Sequence, residues 1–244
     1  MMESEIALDQ AFDYYDSVCD YDINRVDGVK RDSQRARKLL RSFARNIAAQ
    51  VSYVTYKADM ASNDSDTLDE DTVADYFKAL KKLFVIEDLE AWYPNLRSKA
   101  AIRTSNTRHL VDPSIATAAL GIGTKDLIND LETFGLIFED MAVRDLRVYA
   151  EVLSGRLYHY RDNTGLECDA VLHKRNGTYG LIEVKLGGER KIKEGVESLM
   201  ALADKIDMTK MSKPSFLMAL TAVGDYAYTR PDGIHVVPIG CLKN

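Results

Sequence analysis

The feature that most constrains the fold is a stretch of twenty residues, LECDAVLHKRNGTYGLIEVK (166–185), in which two apolar segments flank an Asn-Gly pair. Asn-Gly between two such segments is a strong signal for a β-hairpin, because both residues tolerate positive φ. Strands this apolar are typical of a sheet that is buried on both faces. The first strand nevertheless carries Asp169, and the second carries Glu183 and Lys185. Charged side chains in strands that are otherwise apolar require a physical explanation.

The register of the hairpin decides whether the two carboxylates meet, because side chains alternate between the two faces of a strand. A two-residue turn at 176–177 places Asp169 and Glu183 on opposite faces. A three-residue loop at 175–177, ending in a left-handed Gly177, places Asp169 directly opposite Glu183. The sequence leaves both registers open.

If the carboxylates meet, their repulsion is unfavourable unless a cation lies between them. Mg²⁺ and similar hard cations favour one or two carboxylates together with water and phosphate oxygens. We therefore predict that Asp169 and Glu183 are ligands of Mg²⁺ or Mn²⁺ and that Lys185 activates water for phosphodiester hydrolysis. Glu139, in the GLIFED segment of the preceding helix, completes the predicted catalytic set. The alternative is that Glu183 and Lys185 simply protect an edge strand from pairing.

The hairpin lies within a predicted order of helix, three strands, helix and strand. The first helix is predicted from Lys125 to Leu153, and strands follow near RLYHYR, LECDAVLHK and TYGLIEVKL. The helix KIKEGVESLMALADKI and the strand PSFLMALTAV come next, and the tail contains an Asp-Gly turn. Apolar positions at helical spacing predict the inward face of the long helix: Leu127, Leu131, Phe134, Ile137, Phe138, Met141, Leu146 and Val148.

The N-terminal part of the chain predicts three helices followed by two short strands, which is a winged helix-turn-helix pattern. The first helix is basic, with eight Arg or Lys against two Asp between residues 25 and 45. The second covers VSYVTYKADM, and the third covers DTVADYFKALKKLFVI, capped by Thr67 or Asp69. The strands are predicted at 84–86 and 90–93.

Reading of DNA by the third helix is disfavoured by its charges, although the pattern suggests it. Its first turns contain four acids, Asp69, Glu70, Asp71 and Asp75, which phosphate would repel. A packing or partner-binding module is the alternative.

Composition narrows the class of protein further. The net charge of −6 argues against a generally basic nucleic-acid coat, and the three cysteines are too far apart for a metal site or an obvious disulfide framework. The chain shows no signal-peptide pattern and no apolar run long enough for a membrane span, so we expect a cytoplasmic protein without membrane partners. The four histidines are scattered. Lysines after the hairpin are candidates for phosphate contacts: Lys191, Lys193, Lys205, Lys210 and Lys213.

The order of elements, together with Asp169 and the Glu183-Val184-Lys185 triplet, resembles the PD-(D/E)xK restriction-endonuclease-like superfamily. More narrowly, the chain resembles the C-terminal region of uncharacterised prokaryotic AAA+-type ATPases. The matching stretches are YDINRVDG, LLRSFARNIA, TVADYFKAL, LVDPSIATAALG, GLIFED, YRDNTGLECDAV and GLIEVKLG. The resemblance implies a winged helix followed by a nuclease-like domain, behind an N-terminal ATPase. No phosphate-loop motif occurs in these 244 residues, since GIGTKD is too short for one.

The predicted fold class is therefore α/β (α+β). Residues 1–100 form a winged-helix-like helical module, and residues 110–244 form a PD-(D/E)xK nuclease-like domain with a mixed central sheet. The boundary is placed near residues 95–110. The expected function is that of an ATPase C-terminal module which hydrolyses DNA, with DNA and an AAA+ ATPase module as partners. The alternative is a catalytically inactive module that binds DNA or protein. The oligomeric state is left open.

Overall fold

The computed structural model describes residues 2–61, 68–94 and 105–242, with side chains from residue 6 onward. The fold is mixed α/β, and its larger sheet is mixed. The chain forms two compact units, one from residues 1–88 and 108–140, the other from residues 89–107 and 141–244. Each unit is thus built from two separate segments of chain, whereas the two domains predicted from the sequence are continuous segments. Within the described residues, no helix is long and apolar enough to cross a membrane.

The first unit is mainly helical. Its helices are α1 (Met2–Ser17), α2 (Ile23–Arg25), α3 (Ser33–Arg45), α4 (Tyr53–Met60), α5 (Glu70–Lys82), α6 (Ser114–Leu120) and α7 (Thr124–Asn129), with a π-helical segment at Val18–Asp22. Strands β1 (Ile86–Leu89) and β2 (Thr107–Leu110) form a two-stranded sheet. Aromatic rings from three helices pack together in the core of this unit. The ring centroid of Tyr56 in α4 lies 6.3 Å from that of Phe43 in α3 and 5.0 Å from that of Phe77 in α5.

Helix α5 is the predicted third helix. The side chain of Asp69 accepts a hydrogen bond of 2.7 Å from the backbone N–H of Thr72, which confirms this residue as the N-cap. Helix α5 buries one apolar face, which includes Val73, Tyr76 and Phe77. Acidic residues occupy its first turn and lysines its last, as the helix dipole favours.

One of the acids of α5 is engaged by a buried cation. The side chain of Arg31 is 1% exposed, and its guanidinium lies 2.9 Å from Asp75 and 2.8 Å from Asp27. The basic segment before and along α3 therefore forms ion pairs within the first unit. Arg37 likewise contacts Asp16 and Asp20. These pairs connect the acidic N-terminal residues and the start of α5 to the basic segment.

The prediction of a strand at 90–93 that pairs with its predecessor is wrong. Strand β1 pairs with β2 instead. Ala91 bridges to His159, and the backbone N–H of Trp92 donates to the His159 carbonyl. The Trp92 ring packs 5.1 Å from Tyr179 in the core of the second unit. Residues 90–93 are extended, as their residue types suggest. Burial of the Trp92 indole, however, favours pairing of this segment with the chain at His159 and not with β1.

The prediction of one helix from Lys125 to Leu153 is also wrong. Asp130 leaves the helical region with φ −124° and ψ 82°, and it separates α7 from α8 (Leu131–Val152). Its carboxylate accepts from the backbone N–H and the hydroxyl of Thr133, so that it caps α8. Leu131 and Val148, both assigned to the inward face, are 61% and 62% exposed.

The second unit contains a six-stranded sheet in the order β3-β4-β5-β6-β8-β7. The strands are β3 (Gly155–Arg161), β4 (Glu167–Lys174), β5 (Tyr179–Lys185), β6 (Phe216–Thr221), β7 (Tyr228–Thr229) and β8 (His235–Pro238), and α9 (Glu189–Lys205) connects β5 to β6. The first three strands are antiparallel neighbours, and β6 runs parallel to both β5 and β8. The predicted order of three strands, helix and strand is confirmed. Leu199 of α9 packs in one core with Val171 and Leu181 of the hairpin.

Candidate active site

The hairpin of β4 and β5 closes through a three-residue loop. The backbone N–H of Lys174 donates to the Thr178 carbonyl at 2.8 Å, and that of Gly177 donates back to the Lys174 carbonyl at 3.0 Å. Gly177 has φ +84°, the left-handed conformation that this loop type requires at its third position. Along the ladder, Ala170 stands opposite Ile182. This is the register that brings the two carboxylates together.

Asp169, Glu183 and Lys185 meet on one face of the sheet. The ammonium nitrogen of Lys185 lies 2.6 Å from Oε2 of Glu183 and 3.2 Å from Oδ2 of Asp169. The same Asp169 oxygen accepts a 2.7 Å hydrogen bond from the backbone N–H of Val184. Asp169 thus accepts a hydrogen bond from the backbone of the neighbouring strand and also orients the ammonium group of Lys185. We call these three residues the acid–lysine cluster.

Burial and mutual repulsion control the charge of the acid–lysine cluster. Glu183 is only 3% exposed. Burial and the nearby charge of Asp169 raise the pKa of Glu183 to about 8, although Lys185 opposes them. Burial tends to lower the pKa of Lys185, but the two carboxylates outweigh it and hold that pKa above its usual value. Lys185 is therefore an ammonium group at neutral pH.

Helix α9 covers the cluster at a glycine. A β-carbon at Gly195 would lie 3.4 Å from Cβ of Glu183 and 3.4 Å from Cγ and Cε of Lys185. Gly195 is buried in α9. The missing side chain lets the helix backbone approach the two functional side chains, and this approach contributes to the burial that shifts their pKa values.

The donor set of the cluster fits one divalent cation held by two carboxylates. Mg²⁺ commonly takes one or two carboxylates and completes its shell with water or substrate oxygens. In the part of the chain that the structure describes, no group of three or more His, Cys, Asp or Glu side chains could hold a metal. Asp169 and Glu183 would therefore hold the ion without a third such ligand from these residues.

Glu139 lies in the middle of α8 and is half-buried. It belongs to the first unit, whereas the acid–lysine cluster belongs to the second. Its assignment to the catalytic set stays a prediction.

The next residue along α8, Asp140, is a buried acid that sequence reasoning missed. Asp140 is 0% exposed; its Oδ1 lies 3.0 Å from Nδ1 of His109 and accepts a hydrogen bond from the backbone N–H of Leu110. The signal was its position among apolar residues of the helix, between Phe138 and Met141. This pair ties β2 to α8 within the first unit.

Most of the lysines proposed for phosphate contacts pair with nearby acids. Lys191 contacts Glu194 at 2.9 Å, and Lys193 contacts Glu197 at 3.9 Å. Lys205 contacts Asp162, which is distant in the sequence, at 2.5 Å. Lys210 contacts Asp207 at 2.7 Å. The pairs of Lys191, Lys193 and Lys210 are exposed on both sides and contribute little to stability.

Two family models match parts of the chain. The family described as Domain of unknown function (DUF8612) matches residues 3–126, just over half of the chain, and the protein belongs to this family. A second family, Domain of unknown function (DUF4143), matches residues 134–242, which include the acid–lysine cluster. No curated protein and no solved structure matches the chain. The two family matches are separated by residues 127–133, where Asp130 breaks the helix.

Proposed function

We propose that the second unit is a PD-(D/E)xK nuclease-like domain that hydrolyses DNA phosphodiesters with Mg²⁺ or Mn²⁺. The observation that carries the proposal is the convergence of Asp169, Glu183 and Lys185 through contacts of 2.6 and 3.2 Å. The order α8-β3-β4-β5-α9-β6 supports it, because the resemblance to this superfamily implies the same order.

Each residue of the cluster has a role in this proposal. Asp169 and Glu183 would hold the cation, which would lower the pKa of bound water and neutralise charge on the phosphate. Lys185, as an ammonium group, donates a hydrogen bond to the attacking water or to a phosphate oxygen and stabilises the charge that develops there. The hydrogen bond from Val184 to Asp169 holds that carboxylate in place.

We further propose that the chain acts with an AAA+-type ATPase in the cytoplasm. Members of the second matched family are typically C-terminal to AAA ATPase domains. In the first unit, α3, α4 and α5 precede the two-stranded sheet of β1 and β2, and this order supports a winged-helix-like module. Coupling of an ATPase to DNA through such a module is consistent with the proposal.

A cleavage assay with matched variants tests the nuclease. Plasmid and single-stranded DNA are incubated with the protein and Mg²⁺ or Mn²⁺, and parallel samples contain EDTA. We expect metal-dependent cleavage that falls by roughly a hundredfold or more in Glu183→Gln and Lys185→Met. Glu197→Gln is the control, because Glu197 is an exposed acid on α9, with its side chain 65% exposed. Equal cleavage by Glu183→Gln and Glu197→Gln would reject the assignment.

The catalytically inactive module is the second candidate, and one observation favours it. Lys185 already contacts both carboxylates, and Glu183 is only 3% exposed beneath α9. DNA binding without cleavage by the wild-type protein in either metal would support this candidate. Neither binding nor cleavage would point to a protein partner.

A further inference from the structure

A cleft of about 480 Å³ opens in the first unit between α4 and α5. It is lined by one residue of α4 and by one side of α5: Tyr53, Ala74, Phe77, Lys78, Lys81 and Lys82. Its volume lies within the usual range of small-ligand sites and accommodates a group of the size of one nucleotide.

The floor of the cleft is aromatic. The rings of Tyr53 and Phe77 lie 5.3 Å apart between centroids. The guanidinium of Arg108 lies 5.0 Å from each of these centroids, which is cation–π distance. Arg108 also donates to the Val51 carbonyl at 2.8 Å, so that the floor is held to the backbone before α4. Phe77 is 1% exposed, so the half-buried ring of Tyr53 is the part of this floor that is available for stacking of a planar base.

The rim of the cleft carries three ammonium groups from neighbouring positions of α5, since residues three and four apart share one face of a helix. Lys81 contacts Asp88 at 2.5 Å, and Lys82 contacts Asp27 at 3.4 Å, but their side chains remain 36% and 44% exposed. Lys78 is exposed and lies outside these two pairs.

We propose that this cleft binds a nucleic-acid strand, with phosphates on the lysines and a base on the aromatic floor. Positively charged grooves with aromatic side chains are the general solution for single-stranded nucleic acid. Lysines near a helix C-terminus also offset the helix dipole, but that effect requires no aromatic cleft beside them. Lys78 lies seven residues beyond Asp71, about 10 Å along the helix axis. The strand therefore lies along the C-terminal half of α5, away from the acidic first turn.

This site lies in a different unit from the acid–lysine cluster, and the inference does not depend on whether that cluster cleaves DNA. Binding is measured with the full chain in EDTA, where metal-dependent hydrolysis is prevented. Loss of cleavage and loss of binding are thereby separated.

Fluorescence anisotropy with labelled single-stranded and duplex oligonucleotides, over a range of salt concentrations, tests the proposal. We expect Lys78→Glu to weaken binding roughly tenfold at low salt and to reduce the salt slope by about one unit. Tyr53→Leu keeps an apolar side chain without the ring, and we expect it to weaken single-strand binding more than duplex binding. The control is Lys125→Glu, the same charge reversal at an exposed lysine on α7 of the same unit; we expect a change below about twofold. Circular dichroism verifies that each variant is folded.

Three outcomes would overturn the proposal. The first is that the wild-type protein does not bind either oligonucleotide. The second is that Lys78→Glu and Lys125→Glu weaken binding equally, because the effect would then be one of overall charge. The third is that inorganic phosphate or a mononucleotide competes as well as the strand at equal phosphate concentration, which would assign the cleft to a small anion.

Discussion

The ammonium nitrogen of Lys185 lies 2.6 Å from Oε2 of Glu183, two residues earlier on the same strand. Side chains two residues apart share a face, so this contact is local. The second carboxylate, Asp169, comes from the neighbouring strand and reaches the same nitrogen at 3.2 Å. One lysine is therefore the counter-ion of two acids, and the predictions for the cluster depend on this arrangement.

Replacement of Lys185 by methionine should destabilise the protein. The change leaves two carboxylates without their cation, and we expect the free energy of unfolding at pH 8 to fall by about 2 kcal/mol. Urea unfolding measures the effect, with Lys193→Met as the control, since the Lys193 side chain is 73% exposed. The double variant Lys185→Met with Glu183→Gln should regain part of the loss. Equal stability of Lys185→Met and Lys193→Met would contradict the proposed role of the lysine.

Glu183 should make stability depend on pH. Its pKa is about 8 in the folded protein and near 4.5 in the unfolded chain, so the folded state binds the extra proton between these values. Its contribution is fully present below about pH 4.5 and is lost as pH rises towards 8, with a limiting slope of about 1.4 kcal/mol per pH unit. In metal-free buffer, Glu183→Gln should lack this component of the slope. A variant whose pH profile parallels that of the wild type would refute the assignment.

Gly177 should be needed for the register of the hairpin. Its φ of +84° is unfavourable for any residue with a β-carbon, although no atom would crowd one there. We expect Gly177→Ala to lower the free energy of unfolding by about 1 kcal/mol. Gly240→Ala is the matched control, because that position also has open space but no positive φ. Equal effects at the two positions would show that the backbone conformation of the loop is not the cause.

The cysteines should differ in reactivity. Cys19 and Cys168 are 0% and 1% exposed, and burial raises the pKa of the Cys19 thiol to about 12 and that of the Cys168 thiol well above its usual value. Cys241 is partly exposed. A thiol reagent at pH 8 should modify Cys241 rapidly in the native protein and all three thiols in denaturant. Rapid modification of Cys168 in the native state would show that the hairpin core opens.

The sequence alone predicted those features that depend on local chemistry. Asp69 was one of two predicted caps of the third helix, and a left-handed Gly177 was predicted for the three-residue form of the hairpin loop. These features and the order of strands around α9 follow from short-range steric and hydrogen-bonding preferences and from apolar patterns. The break at Asp130 was missed, although an aspartate directly before an apolar helical residue is a candidate N-cap. The apolar periodicity that continues across the break concealed it.

Tertiary structure decided which partners meet. The residue types at 90–93 indicate an extended segment, but only packing against Tyr179 determines where Trp92 lies. The two hairpin registers differ by one residue, and the sequence left both open. The folded structure contains the register that places Asp169 beside Lys185 and buries Val171 and Leu181 under α9. The physical reason is that one residue of slip would move every side chain of a strand to the other face of the sheet.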